Sequence, residues 1–401
     1  MADLLALARF VAIGVVLAAF VVGTLPAALY AALLTLAAIA GRTPRYGEGP
    51  GRRRFAIVIP AHNEEAVLAR TLASIARLEY PQHLVDVWVV ADNCIDATAR
   101  IARHAGACVV ERRDPIRIGK GYALAWLIEQ IAATGERYDA FLIVDADSVL
   151  SPNFLRAMDG SLEAGATVAQ GYYTVLPVHG TWAEALRGAA LALVHYLRPV
   201  GKARIGASCG LKGNGMCFAA PMLERYGWPC AGLAEDVEFG LLLARDGVRV
   251  AFVPDAVVRG EIPPTLRAAA GQNRRWEAGR LAAARAALPL LAHGLRRRSR
   301  VAIDAAVEQL VPPLSLPVGL AVVALAAGWA LRAPLLTVCA VSALAMFAFY
   351  IVAGLLLARA THREWLALAL APLYICWKVA LYLRVLLGPR PRAWVRTRRG
   401  A

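Results

Sequence analysis

Two aspartates separated by a single residue follow an apolar run. Asp145 and Asp147, in Val144-Asp145-Ala146-Asp147-Ser148, come directly after Phe141 to Val144. In an extended stretch residues i and i+2 point to the same side, so two such carboxylates can converge on one hard cation or its water shell. Mg2+ or Mn2+ held there would bridge to a diphosphate and stabilise it as a leaving group. Taken alone, the pair equally fits a polar loop. A second carboxylate cluster, Glu235-Asp236-Val237-Glu238, opens the apolar helical run Phe239 to Ala244. The helix dipole by itself favours acids in a first turn. Chemically, one of them suits a general base that takes the proton of an acceptor hydroxyl.

Three further segments carry polar groups at informative spacing. In Gln272-Asn273-Arg274-Arg275-Trp276, the residues Gln272, Arg275 and Trp276 stand at i, i+3 and i+4, on one helical face. Arg275 offers planar, permanently charged phosphate recognition, and Trp276 a flat surface for a sugar or base, although such a pair also suits a bilayer interface. Ile57-Val58-Ile59-Pro60-Ala61-His62-Asn63-Glu64-Glu65 runs from a strand into a helix, with Asn63 placed to cap it. Ala91-Asp92-Asn93-Cys94-Ile95-Asp96 follows the next strand, where Asp92 can accept hydrogen bonds from a base or ribose. Gly119-Lys120-Gly121 can bring amides and an ammonium to phosphates, without the spacing of a Walker A loop. Asn63, Asp96 and Lys120 also read as ordinary turn residues.

These groups need a scaffold that brings them together. Short β-rich runs at 55–60, 85–91, 108–111, 140–145, 167–174 and 248–254 alternate with amphipathic stretches such as 64–78 and 122–133. The alternation predicts an α/β domain with a mainly parallel sheet. Ligands in such sheets sit at the carboxyl ends of strands.

The rest of the chain reads as membrane. Of 401 residues, 59% are hydrophobic and 18% charged, against about 25% charged in an ordinary soluble domain. Leu4 to Ala40 is nearly all apolar, which predicts one long span kinked at Pro26, or a tight pair. It lacks the pattern of a cleaved secretory signal. Arg42, Arg45, Arg52, Arg53 and Arg54 follow and put the next domain in the cytoplasm. Thr265 to Arg300 is helical and basic and suits a helix on the membrane surface. Leu310–Leu331 and Pro334–Leu357 read as a hairpin turning at Arg332 and Ala333. Trp365–Leu387, with Lys378 and Arg384, reads as a span or a re-entrant helix, and the tail from Pro389 is basic. The expected units are an anchor at 1–41, the α/β domain at 52–264, interfacial helices at 265–305, membrane helices at 306–388 and a cytoplasmic tail at 389–401. Seven cysteines with no C-x-x-C pair offer neither a disulfide framework nor a zinc site.

In this order, IVIPAHNEE, DNCIDAT, GKGYALAW, VDADS, AEDVEFG and QNRRW resemble the membrane-anchored family-two inverting glycosyltransferases. That group includes cellulose, hyaluronan and poly-N-acetylglucosamine synthases and ceramide glucosyltransferases. The resemblance spans about Ala56 to Trp276. It implies the GT-A nucleotide-binding fold and a nucleotide-diphosphate sugar, with uridine favoured, as donor. It implies that Pro60, Asn63 and Glu64 line the nucleotide site and that Asp92 and Lys120 hold the base and ribose. It further implies that Asp145 and Asp147 position Mg2+ or Mn2+ and the diphosphate. Asp236 would be the base, supported by Glu235, while Gln272, Arg275 and Trp276 hold the diphosphate and close the acceptor site. Ala234, Ile95 and Asn273 depart from residues frequent at those positions in the family, which bears on acceptor or base selectivity.

The acceptor is expected to be a lipid or a growing polysaccharide at the inner membrane. Scarce polar content from Leu310 to Leu357 favours a lipid, or a channel completed by export or synthase partner proteins. A competing reading is a non-catalytic membrane subunit of such a complex. The net charge of +15 also raises nucleic acid, but the arginines cluster beside the apolar segments, where anionic lipid is the simpler partner.

Overall fold

The computed structural model describes residues 2–41, 43–228, 232 and 234–388. Arg42, Cys230 and the basic tail from Pro389 lie outside the described residues. Among the described residues eight strands form one sheet: β1 (Phe55–Ala61), β2 (Val85–Asp92), β3 (Cys108–Arg112), β4 (Ala140–Ile143), β5 (Ser148–Leu150), β6 (Val168–Leu176), β7 (Met216–Ala219) and β8 (Val250–Glu261). Their order is β3-β2-β1-β4-β7-β6-β8-β5. The pairs among β3, β2, β1 and β4 are parallel, as is β6 with β8. β7 runs antiparallel to both β4 and β6, and β5 antiparallel to β8. The sheet is thus mixed, and the two antiparallel inserts, β5 and β7, are too short to show a period in sequence.

Alternation along β1 explains its register. Phe55, Ile57 and Ile59 enter one hydrophobic core, whereas Ala56 and Val58 enter another. A strand buried on both faces is the expected outcome of a parallel sheet covered on both sides. The covering helices are α3 (Leu68–Ile75), α4 (Thr98–His104) and α6 (Phe154–Glu163) on the first face. On the other face lie α5 (Lys120–Ala133), α8 (Arg198–Arg204), α9 (Ala220–Tyr226) and α10 (Glu235–Arg245). Between α6 and α8, α7 (Trp182–Leu191) passes through one turn of π-helix, Ala192–Leu197, into α8.

The second core is shared with the apolar helices. α1 (Ala2–Gly23) and α2 (Leu25–Ala40) form one helix long and apolar enough to cross a membrane, Ala6–Ala40. The Thr24 amide donates to the Phe20 carbonyl and Ala28 donates to Thr24, so helical bonding bridges the junction beside Pro26. This is the single long helix rather than the tight pair. After β8 come α11 (Leu266–Ala283), α12 (Ala287–Arg297) and α13 (Arg300–Leu310), so the predicted helical stretch is broken twice. α14 (Ser315–Ala330) is bent 57° from α13. With 16 residues, α14 extends only roughly 24 Å, short of the ~30 Å hydrocarbon core. α15 (Pro334–Leu357) packs against α14 through a turn in which Arg332 has φ 49°. α16 (His362–Ala367) and α17 (Ala371–Leu387) complete the chain's described part. Pro334–Leu357 and His362–Leu387 are each long and apolar enough to span.

A buried ionic cluster fastens these helices to the sheet domain. Lys202 of α8 meets Glu308 at 2.6 Å and Asp304 at 2.9 Å, both on α13. Tyr30 of α2 donates to Asp304 at 2.8 Å, and Arg198 donates to the Tyr350 hydroxyl of α15 at 2.9 Å. A Cβ at Gly201 would collide with the Leu34 carbonyl, so glycine permits the close approach of α8 to α2. Arg53 and Arg54, read from sequence as orientation signals, are also used by the fold: Arg53 pairs with Asp159 and Glu163, Arg54 with Asp86 and Glu136.

Candidate functional site

A cavity of about 960 Å3 opens at the carboxyl ends of β1, β2 and β4. Eleven of the twelve residues picked from sequence line it. Pro60 and Glu64 flank the end of β1, Asp92 closes β2, and Lys120 opens α5. Asp145 and Asp147 lie between β4 and β5, Glu235 and Asp236 open α10, and Gln272, Arg275 and Trp276 come from α11. The exception is Asn63. It has φ 55°, and its Oδ1 accepts the Ile95 amide at 2.8 Å, so it braces the β2 loop behind the wall. It does not cap a helix: Glu64 to Val67 form a turn and α3 starts only at Leu68. Asp96 accepts from the Thr98 amide and hydroxyl, which bears out its turn role.

The D-x-D pair sits in a turn, not in an extended strand, because β4 ends at Ile143. The cavity, rather than strand alternation, unites the two carboxylates. Asp145 accepts from Lys120 Nζ at 2.6 Å, and its amide donates to Asn214 Oδ1 at 3.1 Å. Ser148 donates to Asp147 at 3.2 Å and accepts from Asn214 Nδ2 at 2.8 Å. Asn214 is fully buried, so it braces from behind the turn that carries both carboxylates, through the Asp145 amide and through Ser148. Among the described residues no three His, Cys, Asp or Glu side chains gather as a metal cluster. Two carboxylates nevertheless fit the chemistry of Mg2+ or Mn2+, which hard-cation sites complete with substrate phosphate and water.

Asp92 is buried, and Arg112 Nη1 donates to it at 2.6 Å. Burial raises its pKa above the ordinary carboxylate range, against the pull of Arg112. Arg112, next to an unremarkable Arg113, was not singled out in the sequence. Lys120, expected beside Asp92 at the base, stands elsewhere. Besides Asp145 it donates to the Gly213 carbonyl at 2.5 Å and lies 3.8 Å from Glu235 Oε1. It therefore bridges the D-x-D turn and the α10 carboxylates, and these partners raise its pKa despite burial.

Glu235 and Asp236 are both shifted upward by burial, with Lys120 opposing. Their neighbour is the loop Gly210-Leu211-Lys212-Gly213-Asn214-Gly215, whose three glycines all have positive φ. At Gly213 a Cβ would stand 3.1 Å from Asp236 Oδ2. The glycine spacing was the available signal for this loop.

On α11, Gln272 Oε1 accepts from Arg187 Nη2 at 2.9 Å, and the same guanidinium lies 5.7 Å from the Trp276 ring centre. One arginine in an amphipathic helix carries no sequence signal of its own. Asn273 is explained by Lys378 of α17, which donates to Asn273 Oδ1 and to Glu277, each at 2.8 Å. His195, in the π-turn, shares a hydrogen bond of 3.0 Å between Nδ1 and the Tyr173 carbonyl. Burial lowers its pKa to about 3, so it is neutral with the proton on Nδ1 and Nε2 left as an acceptor.

The model of glycosyltransferase like family 2 matches residues 50–279. The chain is similar to a probable glycosyltransferase, YdaM, of Bacillus subtilis (strain 168), 25% identical over 239 residues, 56% of this chain and 55% of the relative. It is 30% identical over 287 residues to an N-acetylglucosaminyltransferase of Rhizobium meliloti (strain 1021), covering 66% and 64%. A beta-monoglucosyldiacylglycerol synthase of Synechocystis is 26% identical over 239 residues, covering 56% and 47%. The chain thus spans about half to two thirds of the length of these relatives. Among solved structures, mannosyltransferase PcManGT from Pyrobaculum calidifontis in complex with GDP-Man and Mn2+ aligns with a TM-score of 0.52 and 17% identity. That alignment covers 94% of this chain and 99% of the other, a likeness of fold of the GT-A type with its flanking helices.

Proposed function

The chain belongs to glycosyltransferase like family 2, and on that premise we propose that it transfers a hexose or N-acetylhexosamine from a nucleotide-diphosphate sugar to a lipid or polysaccharide acceptor with inversion. The observation that carries this is the single cavity joining the D-x-D turn, Lys120, the α10 carboxylates and the α11 face, and continuing between the apolar helices. Asp92 takes the base and ribose end, with a UDP-sugar the first donor to test. Asp145 and Asp147 would hold Mg2+ or Mn2+, which when bound supplies charge neutralisation for the departing diphosphate. Lys120 keeps Asp145 oriented, and Arg275 adds a fixed positive charge to the phosphate side. Asp236 accepts the proton of the acceptor hydroxyl, with Glu235 beside it. Attack from the face opposite the leaving group inverts the anomeric carbon. Arg45 and Arg52, after the first apolar helix, support a catalytic domain on the cytoplasmic face of the inner membrane.

The test is nucleoside-diphosphate release by the full chain in lipid, across UDP- and GDP-sugars with Mn2+ or Mg2+. Release with one donor and its loss on chelation are expected. No release with any donor, with lipid extract supplied, would overturn the proposal.

A further inference from the structure

The cavity changes character beyond the reaction centre. The part lined by strand ends and α10 presents six carboxylates and one cation, Lys120. The part lined by α7, α8, the 210–215 loop, α11, α13 and α17 presents seven cations and two carboxylates. Of these cations, Lys202 and Lys378 have close carboxylate partners. Arg187 does not. It is 5% exposed, its Nη2 is satisfied by an uncharged amide, and its Nη1 has no hydrogen-bond partner among the described residues. Glu184, one turn earlier on α7, acts on the guanidinium electrostatically but makes no ion pair with it, and a buried donor without a partner asks for a ligand.

The same cavity continues into apolar lining. Leu186, next to Arg187 in the chain, and Leu193, six residues on, line it together with Ile351 of α15 and Ile375 of α17. α15 and the segment containing α17 are long and apolar enough to cross a bilayer. One void therefore has an acidic end, a buried cation with an unpartnered donor and an apolar end among helices long enough to span. Resting on the transfer reading above, we infer that the acceptor is a lipid with a phosphate-bearing headgroup, held by Arg187, its chains lying against α15 and α17. A soluble phosphate shares the Arg187 chemistry but leaves the apolar limb unused, and a neutral lipid offers Arg187 Nη1 no anionic partner.

The experiment compares dioleoyl phosphatidic acid with dioleoylglycerol, which have the same chains, and with glycerol phosphate. Binding to the detergent-purified full chain is measured together with UDP-sugar binding. Phosphatidic acid is expected to bind about tenfold or more tighter than dioleoylglycerol, the value of a charge-assisted hydrogen bond. Arg187→Gln is expected to erase that preference and Arg187→Lys to keep part of it. Arg77→Gln, which removes an exposed charge at the end of α3, is expected to keep all of it. Equal binding of the two lipids overturns the inference, as does an unchanged preference in Arg187→Gln. Glycerol phosphate binding as tightly as phosphatidic acid overturns the lipid assignment. Should Arg187→Gln not fold, the wild-type lipid comparison and Arg187→Lys decide. Transfer to dioleoylglycerol would overturn this inference alone, whereas failure to bind or consume any nucleotide sugar would overturn the transfer reading and leave the lipid preference measurable.

Discussion

Alanine at Gly213 tests whether the glycine loop sets the position of Asp236. Gly213 has φ +80°, and a Cβ there would lie 3.1 Å from Asp236 Oδ2 and 3.9 Å from Lys120 Nζ. Left-handed backbone costs an L-residue roughly 1–2 kcal/mol. The close contact adds a second effect, since the carboxylate must give by a few tenths of an ångström. A misplacement of about 1 Å can cost roughly 100-fold in rate, so a few tenths correspond to roughly three- to tenfold in kcat. Gly106 supplies the control: its φ is +81° and a Cβ there meets nothing within 4 Å. Gly106→Ala therefore carries the backbone strain without the contact. Thermal unfolding and nucleoside-diphosphate release would be measured for both. Similar losses of Tm are expected, with kcat reduced only in Gly213→Ala and donor Kd unchanged. Equal kcat in the two variants would refute the idea that this loop positions the carboxylate.

Two further outcomes follow from the charges. Burial lifts Glu235 to about 7 and Asp236 above the ordinary carboxylate range. A base works only when unprotonated, and the pKa of Asp236 is raised, so kcat/KM should fall with decreasing pH at values above the ordinary carboxylate range and level off at higher pH; a profile flat down to about pH 5 would contradict this. Lys202→Met strands Asp304 and Glu308 in the ionic cluster. Removing one partner of a buried pair costs about 3–5 kcal/mol, so a marked fall in Tm is expected, and an unchanged Tm would show that the cluster does not fasten α8 to α13.

Much of the site was legible because its chemistry sits where patterns change. Asp92 ends an apolar strand, and Asp145 and Asp147 follow another. Glu235 and Asp236 open a helix. Each is marked by a switch from hydrophobic periodicity to charge. The partners of these residues were not legible, because they come from far along the chain. Lys120 meets the Gly213 carbonyl, 93 positions on, and nothing in GKGYALAW points there rather than to the ribose. Arg187 lies in an ordinary amphipathic helix, and its meaning comes only from what fails to meet it after folding. Asn273, a departure from the family pattern, is accounted for by Lys378 of an apolar helix 105 positions away. The membrane helices were visible as apolar runs. The 57° bend between α13 and α14 falls at Pro312-Pro313, where proline breaks a helix, a local signal masked by reading 310–331 as one apolar run.

The central claim is that Asp236 takes the acceptor proton in glycosyl transfer. Asp236→Asn nearly conserves shape while removing the base, and general-base catalysis contributes roughly 100- to 10,000-fold. Donor binding and turnover would be measured on the same preparation, with the lipid extract that supports wild-type release. The account predicts donor affinity within about threefold of wild type and turnover lower by at least about 100-fold. Turnover near the wild-type rate, with the donor bound normally, would contradict it.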